Sequence, residues 1–203
     1  MNFNQIVTVA APEYGRQPET RLCPDQYVGR LPEVINHLDF PFRVAAEERP
    51  DAPCLIMVME SPHRDEFIGA PGPAKGKTGE LIRLHLGAAI DCTELQDMGL
   101  ILLNAVQYQC SLGMDTALYR DKIFRAFWAN SGEEDFSIRL SVTFKPGDIL
   151  MNSCTKGNDC NVHTPLRYLV EGAIRAALPR VDSIKRTHPS SWWKPEIRGA
   201  SWS

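Results

Sequence analysis

From Cys54 onward, apolar runs of strand length alternate with stretches whose apolar residues recur at helical spacing. Cys54 to Met59 is a continuous apolar run, the pattern of a strand covered by helices on both faces. Leu100 to Leu103, within the segment Gly99 to Tyr108, predicts a second strand ending at Asn104. Asp148 to Met151, followed by Asn152, predicts a third, and Val181 to Lys185, leading into His188, a fourth. Between them, Thr78 to Ile90 reads as a helix with Leu81, Ile82, Leu84, Leu86 and Ala89 inward and Thr78 as its N-cap. Leu118 to Trp128, with Ile123, Phe124, Phe127 and Trp128 toward the core, reads as another helix. Pro165 to Leu178 is a third, stopped by Pro179.

Strands alternating with helices imply βαβ units and a mostly parallel sheet. The expected fold is α/β: a three-layer α/β/α sandwich around a short, mostly parallel four-stranded sheet, forming a single domain over residues 1–203. Residues 1–50 are mixed and rich in proline, with one short helical candidate from Leu31 to Leu38, and are expected to wrap a core at residues 54–192. Each predicted strand is followed by a polar residue, and Glu60, Asn104, Asn152 and His188 would line one edge. That edge is where parallel sheets place ligands.

Composition adds bounds. At 203 residues, with 43% hydrophobic and 23% charged residues, the chain reads as an ordinary soluble domain. No stretch is long and apolar enough for a membrane span, and no signal peptide pattern is present. A cytoplasmic monomer with no membrane partner is expected, associated with the nucleoid if it repairs DNA. A net charge of -3 argues against nucleic-acid binding over the whole surface. Locally the balance differs: Arg175, Arg180, Lys185, Arg186, Lys194 and Arg198 are opposed after Arg175 only by Asp182 and Glu196, and Lys75 and Lys77 extend this basic patch.

Six cysteines, Cys23, Cys54, Cys92, Cys110, Cys154 and Cys160, contain no C-x-x-C pair, so no metal or cofactor is expected. Cys54 and Cys110 read as buried thiols. Cys154 and Cys160 alone would leave an iron–sulfur cluster two ligands short, which makes such a cluster the minor alternative.

Two Pro-containing loops carry the candidate chemistry: Glu60-Ser61-Pro62-His63 after the first strand and His188-Pro189-Ser190-Ser191-Trp192 after the fourth. Between them stand Leu102-Leu103-Asn104-Ala105-Val106 and the glycine-containing helix entry Gly76-Lys77-Thr78-Gly79-Glu80-Leu81. In this order the motifs resemble the uracil-DNA glycosylase superfamily, nearest in pattern to its family 4 type. The resemblance covers residues 54 to 192.

It implies hydrolysis of the N-glycosidic bond of uracil or another damaged base in DNA. Charge then develops on the departing base and on the sugar, so a donor at the base oxygen and an anion or held water near the sugar are needed. His188 is the expected donor, Asn104 the reader of the base edge, and Glu60 the group that orients water or stabilises the sugar cation. Pro62, Phe67 and Asn152 complete the base-contacting candidates. Trp192 is the expected wedge in the base stack, flanked by Ser190, Ser191, Lys194 and Arg198 as DNA contacts. The departures are specific. Ser61 stands where the best-known branch has a water-activating aspartate, and His63 where family 4 has glycine, which makes His63 a second catalytic or phosphate-contacting group. Ala74 occupies the place of the stacking aromatic, leaving Phe67 to substitute, and the amino-terminal cluster cysteines of family 4 are missing.

Plainer roles stay open. Glu60 or Asn104 can serve a turn, Trp192-Trp193 can anchor the carboxy-terminal segment, and Lys156-Gly157 can be a turn or a phosphate contact. The loop Gly69 to Gly76 lacks Walker spacing and reads as a mobile, substrate-facing segment. Two other functions fit the same residues: a glycosylase-like module that binds modified DNA or a protein partner without base release, and an N-glycosidase acting on free nucleosides or nucleotides.

Overall fold

The computed structural model describes residues 1–35, 37–90, 95, 97–112 and 119–203. Cys92 and the expected helix start at Leu118 lie outside the described residues. The strands are β1 (Gln26–Arg30), β2 (Val44–Ala45), β3 (Cys54–Met59), β4 (Gly99–Asn104), β5 (Ile149–Asn152) and β6 (Ser183–Lys185), and the helices α1 (Phe3–Ala10), α2 (Leu31–Val34), α3 (Lys77–Ala89), α4 (Arg120–Phe127), α5 (Glu133–Thr143) and α6 (Leu166–Ala177).

These strands form one six-stranded sheet in the order β2-β1-β4-β3-β5-β6. β3 runs parallel to β4 and β5, and β5 parallel to β6, so the four strands expected from the apolar runs are the parallel ones. The sheet is nevertheless six-stranded, not four-stranded. β1 lies antiparallel to both β4 and β2. The first 50 residues therefore build part of the sheet instead of merely wrapping it. Gln-Tyr-Val-Gly-Arg hides this in the sequence, because Gly29 takes φ +128° at a register shift and interrupts the apolar pattern.

The pleat divides the core. Ile56, Val58, Ile101 and Leu103 point to one face and pack with α1, α4, α5 and α6 through Ile6, Phe124, Phe136 and Val170. Leu55, Met57, Leu100 and Leu102 point to the other and meet Leu31 of α2, Ile82 and Leu86 of α3, and Trp192. Burial of β3 on both faces matches its uninterrupted apolar run.

Two helix details differ from expectation. α3 starts from Gly76, not Thr78, and its Leu84 is 49% exposed. The helix expected to stop at Trp128 continues through a π-turn, Trp128–Gly132, into α5. α5 buries only Phe136, Leu140 and Thr143, too few apolar positions to announce itself.

In the parallel set, β3 leads to β4 on one side while β5 leads to β6 on the other. Their loops part at the carboxyl ends of β3 and β5, and such a switch point opens a crevice.

Candidate functional site

Backbone hydrogen bonds tie the strand ends together at this crevice. Met59 O accepts from Ala105 N (2.7 Å), Glu60 O from Val106 N (2.9 Å) and Val58 O from Ser153 N (2.9 Å). Loops distant in sequence are thus held to one another by the sheet itself. Past Glu60, His63 caps the 3-10 turn Arg64–Phe67, its Nδ1 accepting from Asp65 N. The chain then turns back under itself: Gly72 N donates to Glu66 O (3.0 Å), and Ala74 N donates to Glu66 Oε1 (2.9 Å).

The result is a pocket of about 250 Å³ at the carboxyl ends of the parallel strands. Glu60, Ser61, His63, Glu66, Asn104 and Arg120 line it, and Asp65, Lys77, Ser111, Thr155, His188 and Ser190 are also on its wall. His188 Nε2 stands 3.2 Å from Glu60 Oε2. This is within ion-pair distance, yet the oxygen has no aligned hydrogen-bond donor, so it can accept a proton contact from water or substrate. On the far side of the ring, His188 Nδ1 receives the Ser190 backbone N–H at 3.2 Å and lies 2.8 Å from Ser190 Oγ. A backbone N–H only donates, so Nδ1 accepts and the neutral ring carries its proton on Nε2. Nε2 is the nitrogen that faces the pocket.

Two carboxyls of this pocket diverge. Burial works against ionising Glu60, but the neighbouring His188 and the charge of Arg120 hold it down at about 2. Glu66 is pushed up to about 8, first by burial and further by the nearby charge of Glu60, against the pull of the Ala74 N–H. At neutral pH Glu60 is a carboxylate and Glu66 a carboxylic acid. Such opposed environments divide charge-bearing from proton-carrying roles. The thiols of Cys23, Cys110 and Cys154 are pushed up by burial and stay protonated.

Of the residues singled out in the sequence, Glu60, Ser61, His63, Asn104, Lys77, His188 and Ser190 meet in the pocket. Asn104 is buried at its floor, where Nδ2 reaches Cys23 Sγ at 3.5 Å, while Arg139 holds its backbone carbonyl. The Cys110 thiol is turned to Tyr108 O (3.6 Å).

Several expected contacts are corrected. Trp192 is 0% exposed, packed under the sheet with Nε1 donating to Thr187 O, so it anchors the turn and cannot wedge into a base stack. Of the two neighbouring tryptophans the exposed one is Trp193, at 60%. Asn152 is buried away from the pocket, donating from Nδ2 to Glu171 Oε2 and Arg167 O and closing the Cys154 N–H with Oδ1. Phe67 and Pro62 are buried outside the lining, Phe67 beneath the Arg21 guanidinium. Ser191 bonds back to His188 O, Arg198 to Trp192 O, and Lys75 to Ile68 O and Ala70 O, so these three brace local backbone. Lys194 lies over the Trp193 ring, outside the pocket. The loop from Gly69 to Gly76 is pinned by Glu66, by Arg21 at Gly69 O and by Arg43 at Pro73 O, which contradicts a mobile segment. The backbone beyond Lys156-Gly157 is a turn whose Asn158 and Asp159 N–H groups are taken by Asp121.

Glu66 and Arg120 are pocket residues that the sequence did not disclose. Asp-Glu-Phe reads as the surface of a turn, and only the return of the chain at Ala74 buries the acid. Among the described residues, no cluster of His, Cys, Asp and Glu has the makings of a metal site. No described helix is long and apolar enough to cross a membrane.

Protein families, curated proteins and solved structures were compared with this chain, and none matches.

Proposed function

We propose that this chain is a DNA glycosylase-like hydrolase that cleaves the N-glycosidic bond of uracil or another damaged base. The observation that carries this is the meeting of Glu60, Asn104 and His188, from three strand ends, in one pocket with Nε2 and Oε2 3.2 Å apart. Water adds its oxygen to the anomeric carbon, the bond to the base nitrogen breaks, and the electron pair leaves on the base. His188 Nε2–H stabilises the charge developing on the base oxygen, a role worth about 10²- to 10³-fold in rate for one positioned donor.

A carboxylate held at about 2 is a weak base at neutral pH, so Glu60 acts through charge and orientation, stabilising the sugar cation and aligning water. This removes the need for an acid at Ser61. Glu66, protonated beside Asn104, offers an O–H donor to the same base edge that Asn104 reads. Trp193, not Trp192, is the side chain available to hold the strand open, with Lys194 beside it.

The test is base release from single- and double-stranded oligonucleotides carrying uracil, hypoxanthine, xanthine or alkylated bases. Alkali-labile sites that form with the wild type and fall about 10²- to 10³-fold in rate with His188→Ala support the proposal. No cleavage of any of these bases, with His188→Ala indistinguishable from the wild type, would refute it.

One observation favours a second substrate class, free nucleotides. Arg186 and Arg198 donate to the carbonyls of Ala89 and Trp192, so part of the basic segment holds the tail instead of facing a duplex. Salt separates the two, because duplex binding weakens steeply as counterions are released and nucleotide binding much less.

A further inference from the structure

Arg120 begins α4 and, beyond helping to keep Glu60 ionised, has no role in the chemistry above. It lines the pocket at only 9% exposure. Its placement is built by two devices. Tyr119 before it adopts φ 63°, a left-handed conformation that a bulky side chain takes only when its surroundings impose it. Asp121 after it then grips the guanidinium from one edge: Oδ1 accepts from Arg120 Nε at 2.9 Å, while Oδ2 accepts the backbone N–H groups of Asn158 and Asp159. Gly157 lets that loop close over the carboxylate, since at φ +85° a Cβ there would stand 2.6 Å from Asp121 Oδ2.

Among the described residues Asp121 is the one carboxylate within ion-pair distance of Arg120, and it engages Nε. Among the described residues the terminal nitrogens have no hydrogen-bond partner, and they form the fork of a guanidinium fixed at Nε in the pocket lining. Such a fork matches the oxygens of a phosphate, and a guanidinium suits this better than an ammonium. Ser111 and Thr155 add hydroxyls, while Lys77, also in the lining, is paired with Glu80 at 2.6 Å.

We propose that Arg120 holds a phosphate of the nucleotide whose base meets Asn104 and His188. This rests on the base-binding pocket of the proposed function. The phosphate is a phosphomonoester if the substrate is a free nucleotide, or the adjoining phosphodiester if it is DNA.

Calorimetric titration of the wild type, Arg120→Gln and Arg120→Lys with inorganic phosphate, deoxyuridine, deoxyuridine 5′-monophosphate and a uracil-bearing oligonucleotide tests this. The wild type should bind the phosphate-bearing ligand of its true substrate about tenfold or more tighter than Arg120→Gln does, the scale of one charge-assisted hydrogen bond. Deoxyuridine, which lacks the phosphate, should lose clearly less affinity than the phosphate-bearing ligand. Arg120→Lys, which keeps a partner for Asp121, should retain part of the gain and decides the matter if Arg120→Gln does not fold. A loss confined to the monophosphate identifies a free nucleotide, and a loss confined to the oligonucleotide identifies DNA. Equal affinities in all folded variants for inorganic phosphate, monophosphate and oligonucleotide overturn the proposal. If deoxyuridine fails to bind while Arg120-dependent binding of inorganic phosphate persists, the base pocket is wrong and the phosphate site stands.

Discussion

Glu60 and Glu66 line the same pocket, and the protein drives one toward about 2 and the other toward about 8. Arg120 and the neighbouring His188 hold down the first, whereas the second is buried with a backbone N–H as its neighbour and Glu60 raising it further. The signs for stability follow from linkage. Glu60, depressed in the folded state, contributes stability present above its unfolded value near 4.5 and lost as pH falls toward about 2. Glu66 does the opposite: between 4.5 and about 8 the unfolded chain is ionised while the folded one keeps its proton, so stability drains as pH rises through that window.

Replacing Glu66 by Gln removes this drain. Thermal melts at pH 5 and pH 8 should show Glu66→Gln gaining on the wild type as pH rises, by a few kcal/mol at the alkaline end. An equal difference at both pH values would mean that Glu66 is ionised in the fold. In base-release assays the wild type should lose activity as pH rises through about 8, and Glu66→Gln should flatten that limb.

Neighbouring tryptophans should separate stability from binding. Trp192→Ala empties a fully buried site and should cost about 3–5 kcal/mol, read as a lower denaturation midpoint. Trp193→Ala should leave the midpoint almost unmoved and weaken excision from duplex more than from single strands. Equal stability losses in both variants would contradict the burial of one and the exposure of the other.

Gly79 carries a constraint that links α3 to the acid. A Cβ at this position would lie 1.8 Å from Ala74 O. Gly79→Ala should therefore displace the Ala74 backbone, whose N–H holds Glu66 and favours its ionisation, and should lower the melting temperature while raising the apparent alkaline pKa of base release. Retention of both would show that the loop absorbs the clash without moving Glu66.

Asn152 looks like a site residue in the sequence and behaves as a structural one. Its Nδ2 partners Glu171, which also accepts from Ser183 Oγ. Asn152→Ala leaves a buried carboxylate short of a donor, at about 1–3 kcal/mol, and urea titration should register the loss. Substrate affinity of the folded variant should match the wild type.

What could be read in advance followed the apolar runs. β3 to β5 and the helices α3, α4 and α6 each pair a local pattern with a buried face, and parallel strand order brings Glu60, Asn104 and His188 to one edge, although the same order also pointed to Asn152, whose side chain turns to Glu171 instead. The omissions have local causes. α1 is Phe-Asn-Gln-Ile-Val-Thr-Val-Ala, β-branched enough to pass for a strand, and becomes helical with the Asn2–Gln5 capping box. Trp192 and Trp193 are indistinguishable as letters, and only the direction of the 3-10 turn Pro189–Ser191 buries one and exposes the other. Glu66 needed knowledge of a chain reversal at Ala74, whose φ of 53° no sequence rule assigns to alanine.

The antiparallel pairing of β1 with β4 has a consequence for any shortened form. β4 is Gly-Leu-Ile-Leu-Leu-Asn, buried along its whole length, and β1 covers the hydrogen-bonding edge opposite β3. Removing the first 50 residues would leave that flat, uncharged strand as an open template for another copy of itself. A fragment limited to residues 54–192 keeps every motif of the pocket and is expected to aggregate, so solubility of this fold is set by the part of the chain that carries none of the chemistry.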